Sequence, residues 1–143
     1  MPSLYKFEDV LEKEGELFFT NVGYSMYPLI KQREDILHIV QSSIYKKGDI
    51  VLFKSSVDHY VLHRIIKIKK ETIITAGDYN YFKDQPIDRK QLLGKLMTIK
   101  KKNGKLIDLS KDKKVRKFFY TNFFPIKSFF QKVGKVLHLR KIK

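Results

Sequence analysis

Residues 60–69, Tyr-Val-Leu-His-Arg-Ile-Ile-Lys-Ile-Lys, form a long run of β-branched and aromatic residues with no helix-forming stretch and no glycine or proline. Such a run favours an extended strand, and the stretch 72–76 can pair back on it across the polar link Lys69-Lys70-Glu71. With a period of two, Val61, His63, Ile65 and Lys67 share one face, and Leu62, Arg64, Ile66 and Ile68 share the other. Further short strand-like runs follow the same logic at 17–22, 35–41, 49–54, 91–100 and 105–109, the last two joined at Asn103-Gly104, a strong hairpin signal. The chain is therefore expected to be mainly β, built of many short antiparallel strands.

Two helices are expected at the ends. Ser3 is placed to cap a short helix with Leu4, Phe7, Val10 and Leu11 on one face and a stop at Gly15. Near the other end, Pro125 suits a first helical position. Ile126, Phe129, Phe130, Val133, Val136 and Leu137 then recur at helical spacing opposite Lys127, Lys132, Lys135 and Arg140. This divides the chain into a β domain over 1–110 and a basic amphipathic tail over 111–143.

The chemistry sits in the β part. Ser25 stands at the end of an apolar strand, in Gly23-Tyr24-Ser25-Met26-Tyr27-Pro28. His63 stands inside the long β run, and carboxylates follow in Gly77-Asp78-Tyr79-Asn80 and at Asp84. A hydroxyl becomes a nucleophile when a base takes its proton, and neutral imidazole is the commonest base near neutral pH. A carboxylate that fixes the imidazole tautomer completes such a set, which is defined by roles rather than by chain order. The chain thus reads as a serine peptidase. His38, His59 and His138 have no comparable context, and no set of ligands stands at metal spacing, so neither a metal nor any other cofactor is expected.

These residues also carry a resemblance. Ser25-Met26-Tyr27-Pro28, Gly48-Asp49-Ile50-Val51, His63-Arg64-Ile65-Ile66, Gly77-Asp78-Tyr79-Asn80 with Asp84, and Gly94-Lys95-Leu96 resemble, in order, the conserved boxes of the signal peptidase I family, over about residues 17–100. That family shares its catalytic fold with the LexA-type self-cleaving repressors. Histidine rather than lysine at the base position resembles its endoplasmic-reticulum and archaeal branch. The resemblance implies a LexA/signal-peptidase-like β fold, with Ser25 as nucleophile, His63 as general base and Asp84 as its orienter. Asp78 and Arg64 would be supporting residues, the Ser25 amide the oxyanion donor, and Met26 and Pro28 substrate contacts. It further implies a peptide substrate with small residues before the cut. Family members often carry a serine two residues before the nucleophile, where this chain has Gly23.

Charge and hydropathy bound the partners. The net charge is +15, and residues 111–143 hold eleven Lys/Arg against one acid, so 114–143 are expected to meet an anionic membrane surface. Nucleic acid is disfavoured, because no base-reading module surrounds the basic residues. No apolar stretch reaches the roughly 18 residues of a membrane span, and the first twenty residues are acidic, unlike a secretory signal. The expected location is cytoplasmic or peripherally membrane-associated. The alternative is a LexA-like regulatory protein with the tail as nucleic-acid contact; against it, no helix-turn-helix precedes the domain.

Overall fold

Phe7, Val10 and Leu11 recur at helical spacing, and the helix they form, α1 (Phe7–Glu14), buries Leu11 and ends where Gly15 turns left-handed at φ 77°. The computed structural model describes residues 5–80 and 82–111. The expected cap at Ser3 and the 111–143 tail segment from 112 onward lie outside them, and within them the helix begins after Lys6, which makes no side-chain cap bond. Phe7 anchors that start, its ring 5.0 Å from Phe19 and 4.5 Å from Tyr60.

Eight strands follow: β1 (Glu16–Thr20), β2 (Ile36–Val40), β3 (Ile50–Lys54), β4 (Tyr60–Ile68), β5 (Thr72–Ala76), β6 (Ile87–Asp88), β7 (Leu92–Lys100) and β8 (Leu106–Asp108). They form one antiparallel sheet in the order β1-β2-β7-β3-β4-β5-β6, with β8 also on β7. The mainly β expectation is met. The nine-residue β7 is the hub, pairing β3 through its first half, β8 through its last residues and β2 along its other edge. Gly94 permits this crossing, because a Cβ there would lie 2.8 Å from both Ile39 Cγ2 and the Val40 carbonyl oxygen.

The sheet curls so that both of its faces are covered. Along β3, Ile50 and Leu52 face one apolar cluster with Leu11, Met26, Leu37 and Ile39, while Val51 and Phe53 face a second with Ile65, Ile73 and Ile87. That explains the unbroken apolar run Ile-Val-Leu-Phe, since a strand covered on both sides loses its polar alternation. Each such side chain contributes about 1.5–3 kcal/mol on burial. In β4 the period-two reading holds from Val61 to Ile65 and then fails. A register irregularity between Ile65 and Lys67 brings Ile68 to the second cluster, with Ile65 rather than with Leu62. The two-residue β6 has no counterpart in the sequence reading, being too short to show a period.

Candidate active site

His63 and Arg64 are neighbours on β4, so their side chains leave opposite faces of the sheet. Each meets a carboxylate from the segment that follows β5. His63 Nδ1 is 2.5 Å from Asp84 Oδ2, with both side chains largely covered. Arg64 donates from Nε and Nη2 to the two oxygens of Asp78, at 2.8 and 2.9 Å, and from Nη1 to the Gly48 carbonyl at 2.9 Å. The Arg64–Asp78 pair is almost completely buried, 2% and 3% exposed by side chain, and its bidentate geometry with a further carbonyl acceptor is what lets it sit there. The two carboxylates thus part company. Asp84 lies against the histidine, and Asp78 locks the loop through Arg64.

Asp84 is held from a second side. Thr75 Oγ1 donates to Asp84 Oδ2 at 2.6 Å, and the Asp84 N–H donates to the Thr75 carbonyl at 2.9 Å. Thr75 was missed by sequence reasoning. Its signal is a hydroxyl at a fully buried position of a strand whose other buried residues, Ile73 and Ala76, are apolar; such a hydroxyl must find a partner. With Nδ1 committed to Asp84, the network assigns the proton to Nδ1 and leaves Nε2 as the acceptor.

Ser25 reaches this place from another part of the chain. Its carbonyl accepts from the Tyr79 N–H at 2.9 Å, and the Asp78 N–H lies 3.5 Å from Met26 Sδ. Gly77 makes the approach possible, because a Cβ there would be 2.6 Å from the Ser25 carbonyl oxygen and 2.9 Å from Ser25 Cβ. Arg64 is paired with Ala76, so the next step of the antiparallel register sets Gly77 beside His63. Nucleophile candidate and histidine therefore flank the same glycine. Among the described residues neither the Ser25 hydroxyl nor the Ser25 N–H makes a hydrogen bond, and no bond joins Ser25 to His63. Such bonds are often long before substrate arrives.

The remaining predicted residues separate. Met26 is wholly buried in the first cluster, so its side chain braces the Asp78 turn from within and does not line a substrate surface as expected. Pro28 is exposed. Gly23 has φ 116°, a conformation that disfavours a serine, and its N–H donates to Gln32 Oε1 at 2.9 Å. Asp49 accepts from the Lys46 N–H and shapes the turn into β3. His38 stacks on Phe18 and bonds Glu16 at 2.8 Å, a surface role, and His59 is exposed.

Among the described residues there is no group of three or more potential metal ligands, and no helix is long and apolar enough to cross a membrane. No family description, curated protein or solved structure matches this chain.

Proposed function

We propose that the protein is a serine endopeptidase of the signal-peptidase type, cutting leader or signal peptides with Ser25, His63 and Asp84. The observation that carries this reading is the chain of contacts Thr75–Asp84–His63, which orients one imidazole whose Nε2 has no partner among the described residues, beside a glycine that Ser25 also touches. Nε2 takes the Ser25 proton as the hydroxyl oxygen attacks the scissile carbonyl. The Ser25 N–H stabilises the developing oxyanion. Nε2–H then returns the proton to the leaving amine, and water releases the acyl group by the same steps. Asp84 stabilises the imidazolium without taking its proton.

With Gly23 in place of a serine, one oxyanion donor of the resembled family is absent, a loss that typically lowers rate by about 10²–10³. The backbone at Gly23, with φ 116°, would strain a serine placed there.

A serine-directed covalent probe tests the reading. The full chain should label, Ser25→Ala should not, and His63→Ala should label far more slowly. Absence of labelling in the unsubstituted chain, or equal labelling of Ser25→Ala, removes the proposal.

A further inference from the structure

The turn that carries Ser25 forms one wall of a cavity of about 300 Å³ lined by Tyr24, Tyr27, Lys31, Gln32, Arg33 and Glu34. We infer that this cavity is a specificity subsite for an acidic side chain of the peptide substrate, its carboxylate held by Lys31 and Arg33 and by the hydroxyls of Tyr24 and Tyr27. The inference rests on the peptidase reading of Ser25 and names a feature its substrate should have.

The cavity is tied to the nucleophile by bonds. Tyr24 and Tyr27 flank Ser25 in one turn, closed by the Tyr27 N–H on the Tyr24 carbonyl at 3.0 Å. The facing wall, residues 31–35, cannot drift away. Gln32 Oε1 accepts from the Gly23 N–H at 2.9 Å, and the Arg33 N–H donates to the Asn21 carbonyl at 2.8 Å. Asp35, buried to 1% exposure, accepts from the Lys31 N–H and from Lys101 Nζ and so pins the wall to the end of β7.

Among the described residues, two exposed cations line the cavity without a carboxylate partner. Lys54, Lys95, Lys101 and Arg64 all have carboxylate partners within 4.0 Å. Lys31 and Arg33 have none among the described residues. Glu34, also on the wall, offsets one of the two positive charges and leaves the cavity cationic.

Arg33 adds an independent argument. Its φ is 60°, a left-handed conformation that disfavours a side chain with a Cβ, and which glycine or asparagine adopts more readily. The backbone gives no reason for arginine here, whereas a fork of donors available to a carboxylate does. The tyrosines supply what remains. They are 63% and 41% exposed, and Tyr27 is braced edge-on by Tyr79 at 5.7 Å.

Binding, rather than cleavage, gives the decisive test. The Ser25→Ala chain is titrated with fluorescent peptides, capped at both ends, that contain an Ala-Gln-Ala segment, with a single Glu or Gln moved through the flanking positions. At one position Glu should bind about tenfold more tightly than Gln, as expected for a charge-assisted pair. The advantage should shrink in high salt, fall below about twofold in the Lys31→Gln/Arg33→Gln variant, and grow in Glu34→Gln. A flat scan, or a Glu preference that survives the double substitution, overturns the subsite. Covalent labelling of Ser25 in the unsubstituted chain separates the two failures. A flat scan with labelling intact removes the subsite alone, whereas lost labelling removes the peptidase reading. Vesicles containing phosphatidylserine form the last arm. If they sediment the chain but not the double variant while the scan stays flat, the cations serve a lipid headgroup and the inference is wrong.

Discussion

His63–Asp84 and Arg64–Asp78 are two nitrogen–carboxylate pairs from adjacent residues of one strand and one short loop, yet they differ in construction. The arginine pair is sealed, with two parallel bonds and a third to Gly48. The histidine pair has a single contact, one threonine behind it and more exposure, 10% and 19% by side chain. A permanently charged guanidinium can be buried only with its donors satisfied, whereas an imidazole that must change charge needs one nitrogen left open. The alternation of a β-strand separates the two environments within a single residue step.

The comparison breaks most visibly at its carboxylates. Asp84→Asn should leave the fold intact and lower turnover on a leader peptide by about 10⁴, because the amide cannot stabilise the imidazolium and can hold the wrong tautomer. A loss of less than about tenfold, with thermal unfolding unchanged, would mean that Asp84 does not orient His63. Asp78→Asn should do the reverse. It leaves a buried guanidinium short of its counter-charge, and chemical denaturation should report a loss of about 3–5 kcal/mol. If the unfolding midpoint stays put while activity collapses, the two aspartates have exchanged roles.

Thr75→Val sharpens the same contrast at smaller scale. The substitution keeps the shape and removes the hydroxyl that bonds Asp84. Turnover should fall about tenfold or more, since a hydrogen bond to a charged group contributes about 1.5–3 kcal/mol. The same lost bond should lower stability by up to about 1.5–3 kcal/mol, so rates are compared where both proteins are fully folded. An unchanged rate would assign Thr75 to packing only.

How much of this was legible in the sequence follows from the range of the interactions. Strand positions are carried by local alternation, and β5 falls on its expected residues, Thr72–Ala76. The irregularity after Ile65 was not legible, because it arises where β4 pairs with β5 rather than from β4 alone. Ser25, His63 and Asp84 were legible as residue types in the order of the resembled boxes, but Thr75 and Gln32 were not, since their roles come from contacts nine residues apart to Asp84 and Gly23. Met26 misled for a related reason. The resemblance implied a substrate contact for Met26, whereas the turn sends its side chain inward to the core.

A third cluster, at the surface where α1 meets β3 and β4, measures what exposure does to such pairs. Glu8 Oε1 accepts from Lys54 Nζ at 2.8 Å and Glu8 Oε2 from the Tyr60 hydroxyl at 2.5 Å. Burial pushes the Glu8 carboxyl up, but the bonds from Lys54 and Tyr60 outweigh it and hold the carboxyl at about 2, against 4.5 ordinarily. A carboxyl depressed by folding stabilises the fold above its ordinary value and loses that contribution as pH falls through the folded one. Stability should therefore decline between about pH 4.5 and 2 from this group. On the alkaline side, burial and the bond to Glu8 push the Tyr60 hydroxyl above 10.0, so its contribution is lost as pH rises through that higher value. Glu8→Gln should flatten both limbs and lower mid-pH stability by about 1 kcal/mol, the modest figure that solvent screening allows. Urea unfolding of the two proteins from about pH 2 to 11 checks this. Parallel curves across that whole range would show that the Glu8 contacts do not hold α1, leaving the apolar packing of Phe7, Val10 and Leu11 to do so.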